Sequence, residues 1–171
     1  MGGIAVSTED PKCRALRVAA CSSAMVVIAC TPVALPAQAE ATDPERAITW
    51  TVDDSRLQWG PCPAFLPEGC AIAVLHGDPA KANVDVFFKI PSRSTLPLHW
   101  HTSAERMVLV AGELRVTYEG QAETILKPGT YAYGPAQRAH SGFCASAVPC
   151  VLFIAFESPV DAVSGNGSRG R

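Results

Sequence analysis

Pro97-Leu98-His99-Trp100-His101-Thr102-Ser103-Ala104-Glu105-Arg106-Met107-Val108-Leu109-Val110-Ala111-Gly112 holds two of the chain's four histidines, two positions apart, followed by an acid and an apolar run. Residues i and i+2 of a strand face the same side, about 7 Å apart at the backbone. If Leu96 to His101 is a strand, His99 and His101 therefore present both imidazoles from one surface, and Trp100 points the other way. Thr102-Ser103-Ala104 reads as a polar bend, from which a returning neighbour strand, Glu105 to Ala111, would set the Glu105 carboxylate beside the two rings. His140 follows Gly134-Pro135 near the start of a later strand, and a closed sheet would bring it opposite the other three. Three imidazoles and one carboxylate form a mixed nitrogen and oxygen set suited to one divalent transition metal ion: Fe, Mn, Ni, Co, Cu or Zn.

The sequence around this run is all-β in character. Short β-branched and aromatic runs are bounded by turn residues, and no window sustains a 3.6-residue apolar period. Strands are expected at Ala47 to Val52, Ala71 to His76, Val84 to Ile90, Leu114 to Tyr118, Glu123 to Leu126, Tyr131 to Tyr133, Ala139 to Cys144 and Val151 to Phe156. Val84-Asp85-Val86-Phe87-Phe88-Lys89-Ile90 and Leu114-Arg115-Val116-Thr117-Tyr118 alternate, with one face toward a core. Val151-Leu152-Phe153-Ile154-Ala155-Phe156 is apolar on both faces, as expected of a central, doubly covered strand. Ala111-Gly112-Glu113 and Glu119-Gly120 read as hairpin turns, so that three strands meander. Many short strands at this spacing imply a sandwich or barrel.

Composition limits the rest. With 171 residues, net charge −2 and 48% hydrophobic residues, the chain can bury one ordinary core. Its 14 Lys and Arg form no basic run, which gives no electrostatic footprint for nucleic acid. Residues 1–39 have the layout of a signal peptide cleaved after Ala39: Lys12, Arg14 and Arg17, then Val18 to Leu35, then Pro36-Ala37-Gln38-Ala39. Ser22, Ser23, Thr31 and Pro32 interrupt the apolar stretch, so no membrane span is expected in the mature form. The long segment before Val18, with Glu9 and Asp10, fits a misassigned start codon. Val27-Ile28-Ala29-Cys30 resembles a lipobox, and anchoring at Cys30 is the alternative to a periplasmic or secreted form. Of seven cysteines, cleavage would leave Cys62, Cys70, Cys144 and Cys150. Short loops close at lower entropy cost, which favours Cys62 with Cys70 and Cys144 with Cys150 as disulfides. Residues 40–70 are expected as an extension packing on a barrel of residues 71–158, and residues 159–171 as a disordered tail.

The His99-Trp100-His101 run, three residues, Glu105, six residues and Gly112, then sixteen residues to Gly129, five more to Pro135, and His140, resemble the two motifs of the cupin superfamily. The likeness is to small single-domain bacterial cupins. It covers about Ala71 to Phe156. The family's usual glycines fall here at Arg93 and Gln137, and its closing asparagine at Cys144. The resemblance implies a single small barrel, a double-stranded β-helix or jelly roll, with a metal in its mouth. His99, His101, Glu105 and His140 match its ligand positions. It implies a homodimer as well. Leu75 to Lys81 looks like a stretch of small bacterial cupins that lack an assigned reaction. His76 precedes the turn former Gly77-Asp78-Pro79 and reads as a loop residue outside the site. Arg106, Tyr131 and Tyr133 are candidates to line the pocket, although for the two tyrosines core filling is the favoured reading. Three functions stay open: a metal-dependent oxidoreductase of dioxygenase type acting on a small-molecule substrate, a non-catalytic metal or small-ligand sensing module, and a degenerate structural cupin.

Overall fold

The structure is a computed structural model, and it describes residues 47–165. The expected signal peptide, its cleavage point at Ala39, the lipobox Cys30 and the last six residues lie outside the described residues. Among the described residues there is no helix. The strands are β1 (Trp59–Pro61), β2 (Ala71–His76), β3 (Val84–Ile90), β4 (Thr95–Trp100), β5 (Glu105–Ala111), β6 (Leu114–Tyr118), β7 (Thr124–Leu126), β8 (Tyr131–Gly134), β9 (His140–Cys144), β10 (Cys150–Phe156) and β11 (Val163–Ser164). They form two antiparallel sheets, ordered β1-β2-β3-β10-β5-β8 and β11-β4-β9-β6-β7, in a jelly-roll β-barrel.

Alternation decides what each strand buries. Val84, Val86 and Ile90 of β3, Met107 and Leu109 of β5, and Leu114, Val116 and Tyr118 of β6 turn inward and join one core with residues of β10. Burying a side chain of this size contributes about 1.5–3 kcal/mol. β10 lies between β3 and β5, and its two-sided apolar composition follows from that place. Leu152, Ile154 and Phe156 face the barrel interior. Val151 packs outward in a second cluster with Leu57, Ala73 and Phe87, against which Trp50, Val52, Trp59 and Phe153 also pack. Residues 50–59 thus cover the outer face of the larger sheet.

Four expectations need correction. The Gly112 turn does not join paired strands, because β5 and β6 belong to different sheets; of the three strands expected to meander, β6 and β7 alone pair with each other. Gly112 sits at a sheet-to-sheet corner with φ +85°, where an added Cβ would come within 2.8 Å of Cys150 Sγ. Second, residues 47–52 form no strand. β1 already occupies the edge of β2, and Trp50 is held by its side chain, whose indole N–H donates to Leu75 O at 3.1 Å. Third, β1 and β11 were not expected, since strands of two or three residues carry no readable period. Fourth, residues 159–165 are not a loose tail. Val160 N–H donates to Pro79 O at 2.9 Å, Gly165 N–H donates to Leu98 O at 2.7 Å, and β11 pairs with His99 and Trp100. Backbone hydrogen bonds hold this strap, and hydropathy does not register them.

Candidate metal centre

β4 and β9 pair so that His99 and His140 are cross-strand partners, with ring centroids 4.3 Å apart. His101, one residue past the end of β4, still turns its ring to the same side, 5.0 Å from that of His99. One ligand nitrogen from each of the three lies within 4.8 Å of the others. Glu105 joins them from a direction the sequence did not suggest. It is not on a neighbouring strand but opens β5 in the facing sheet, and reaches across the barrel. Its Oε1 stands 3.4 Å from His101 Nε2 and its Oε2 3.8 Å from His140 Nε2. All four side chains are buried.

Backbone carbonyls fix the rings. His99 Nδ1 meets Pro97 O at 2.7 Å, His140 Nδ1 meets Arg138 O at 3.2 Å, and His101 Nδ1 meets Asp161 O. With each Nδ1–H donated outward, the lone pair of each ring is left on Nε2, facing the cluster. Asp161 belongs to the strap, and its Oδ1 accepts from Thr102 N–H at 2.9 Å. In the expected polar bend Thr102 is exposed, while Ser103 and Ala104 are buried. Ser103 Oγ accepts from Glu157 and Ser158 N–H at 2.9 and 3.0 Å and donates to Ala104 O.

Burial governs the electrostatics. It lowers His99 to about 4, with His101 adding to the effect and the Pro97 carbonyl opposing it. It lowers His140 to about 3, reinforced by His99. Both rings are therefore neutral at pH 7, as metal ligands must be. The Glu105 carboxyl is pushed up by burial, an effect His101 opposes and Asp161 adds to. The donor set, tautomers and charge states fit one transition metal ion.

The cluster opens on a cavity of about 250 Å³ inside the barrel. Of the residues expected to line it, none does. Tyr131 and Tyr133 are 60% and 52% exposed, and Arg106 is exposed and paired with Glu157. Register explains all three: Arg106 pairs with Tyr133 and Val108 with Tyr131, positions that alternate with the inward Glu105 and Met107. The tyrosines neither fill the core nor touch the site. His76 is exposed at the end of β2. Sequence reasoning missed Tyr118, which pairs with His140 and stacks at 4.9 Å from it. Alternation along β6 had marked it as inward, but not as level with the histidines. Its hydroxyl is buried without a partner among the described residues, and burial together with Glu105 raises its pKa.

The disulfides join the cysteines that short separation favoured. Cys62–Cys70 closes a loop whose Cys62, Pro63 and Leu66 line the cavity and whose Phe65 ring lies 6.2 Å from His99. Cys144–Cys150 ties the end of β9 to the start of β10, one strand from each sheet. No helix among the described residues is long and apolar enough to cross a membrane.

The family model described as the ChrR cupin-like domain matches residues 48–159. Among curated proteins no sequence match is found. Solved structures share the fold. The DMSP lyase DddQ from Ruegeria pomeroyi is 19% identical at a TM-score of 0.56, over 66% of this chain and 64% of that one. The polyketide cyclase RemF from Streptomyces resistomycificus is 15% identical at 0.56, over 71% and 89%. An RmlC-like cupin from Shewanella frigidimarina is 18% identical at 0.51, over 61% and 86%. This chain spans less than two thirds of the length of the DddQ lyases.

Proposed function

Since the chain belongs to the ChrR cupin-like domain family, and its buried histidines converge on one point, we propose that it is a mononuclear metal-dependent enzyme of dioxygenase type acting on a small molecule. His99, His101, Glu105 and His140 are its ligands. One observation carries this reading: three imidazoles, each tied at Nδ1 to a carbonyl, present Nε2 to a shared space beside a mainly apolar cavity. When bound, the metal would supply Lewis acidity and open positions for O₂ or a substrate oxygen. The chain's own part is to hold the ligand set rigid, to surround it with apolar side chains such as Leu66, Met107 and Phe156, and to offer the Tyr118 hydroxyl.

Elemental analysis tests the centre. About one equivalent of metal is expected in the protein and none in the His99→Ala, His101→Ala variant. No metal after reconstitution would overturn the proposal. A second reading, a non-catalytic metal or small-ligand binding module, draws on the absence of Arg106, Tyr131 and Tyr133 from the cavity. An oxygen electrode separates the two: uptake in the presence of a bound ligand supports the enzyme, and tight binding without uptake supports the module.

We also propose export, with cleavage near Ala39, because two closed disulfides suit an oxidising compartment. Intact mass of the exported protein reports the cleavage and would reveal a lipid on Cys30. A homodimer follows from the family resemblance and is read by sedimentation equilibrium.

A further inference from the structure

We infer that the cavity takes a small organic molecule with an uncharged, apolar body and a single hydroxyl or carbonyl end, and that the Tyr118 phenol holds that end. This rests on the cavity being the ligand site of the proposed centre and specifies what enters it.

The walls exclude charge on the body of the ligand. Leu66, Phe88, Leu96, Leu114, Leu152 and Ile154 line the space, and among the described residues no Lys or Arg does. On the body of the ligand, away from the proposed metal, a carboxylate or phosphate would lose its water and meet no basic side chain. The volume, about 250 Å³, falls just under the range of drug-sized pockets, about 300–1,000 Å³. A single substituted ring or a short branched chain fits.

Tyr118 supplies the polar end. It is 8% exposed, lines the cavity, and its Oη has no partner among the described residues. A buried hydroxyl left unpaired costs about 1–3 kcal/mol, so a partner from outside the chain is favoured. Oη stands beside Gly134, where an added Cβ would come to 2.7 Å from it and 3.0 Å from Glu105 Oε2. The missing side chain thus lets the phenol and the carboxylate pack close against the same point of β8. Trp100 Nε1, the other buried unpartnered group among the described residues, does not line the cavity.

The test is calorimetric titration of the full chain, both disulfides intact, before and after chelation of its metal. The probes are toluene, benzyl alcohol and 4-(hydroxymethyl)benzoate. Benzyl alcohol is expected to bind in both states, and 4-(hydroxymethyl)benzoate, which adds a charge to the far end of the ring, at least about tenfold more weakly. Tyr118→Phe is expected to weaken benzyl alcohol about two- to tenfold and to leave toluene unchanged. Equal binding of the alcohol and its carboxylate derivative would overturn the inference, and that comparison needs no variant. So would an unaltered ratio of benzyl alcohol to toluene in Tyr118→Phe, the result if water alone satisfies the phenol. Metal-free protein that ranks the probes as expected yet never takes up metal defeats the proposed centre and leaves this inference standing. Metal-loaded protein that binds none of the probes does the reverse.

Discussion

Glu105 is pulled two ways. Its carboxyl is buried and pushed upward in pKa from 4.5, mainly by that burial. A raised carboxyl contributes stability that is full below the unfolded value and is lost as pH rises through the folded one. Glu105→Gln removes that loss, so at pH 8 without metal the variant is expected to melt at a higher temperature than the parent. In excess metal the order reverses, because a ligand is gone and metal binding adds to folding. Scanning calorimetry in both conditions checks this, and one unchanged order would refute the ligand role. Arg93 and Gln137 stand where the family has glycine and keep its backbone, with φ of 57° and 60°. Both side chains are exposed. Replacing either by Gly relieves a left-handed conformation that costs a side-chain-bearing residue about 1–2 kcal/mol, against about 0.5–1 kcal/mol of added chain entropy. Each is expected to gain about 0.5 kcal/mol, read as a higher urea midpoint at constant slope. The ligand positions were legible because spacing along a strand and the motif intervals survive in one dimension. Tyr118 was not, because its level beside His140 depends on the pairing of β6 with β9.

Strands with a clear period could be read directly. β3, β5 and β6 lie within a residue of their expected bounds, and the two-sided run at residues 151–156 became the inner strand β10. What failed was pairing. A glycine turn between two apolar runs looks the same whether it closes a hairpin or passes from sheet to sheet, as Gly112 does. Short strands and the strap depend on hydrogen bonds to distant carbonyls, which local composition cannot display. The two disulfide loops differ in a way that separates stability from function. By loop length each contributes about 2–3 kcal/mol. Cys62→Ala, Cys70→Ala should lose that stability and also weaken cavity binding several-fold, since the freed loop carries Cys62, Pro63, Leu66 and Phe65 beside His99. Cys144→Ala, Cys150→Ala should lose a comparable amount with affinity retained at a temperature where it is folded, because neither cysteine touches the cavity. Equal affinity losses in the two double variants would contradict that division.

The whole molecule should respond to acid through its centre. His99 falls to about 4 and His140 to about 3, from 6.5, with burial the leading cause in both. For a group whose folded value is depressed, the stability is present above the unfolded value and is lost as pH falls toward the folded one. Between about pH 6.5 and 4 the unfolded chain takes up two protons that the folded metal-free chain refuses. That sets an upper slope of about 2.7 kcal/mol per pH unit. Glu105 acts with the opposite sign and offsets at most one of those protons. A domain of ordinary stability has about 5–15 kcal/mol, and the metal-free protein is expected to lose about 2–4 kcal/mol of it by pH 5. Bound metal holds the imidazoles deprotonated, and the acid transition should then move to lower pH as metal concentration rises. Urea unfolding at pH 7.5, 6.5 and 5.5, with and without metal, measures both effects. His140→Leu should flatten the metal-free profile and remove its dependence on metal. A metal-free stability that is level across this range would mean that the buried imidazoles take up protons without opening the barrel, and the linkage argued here would be wrong.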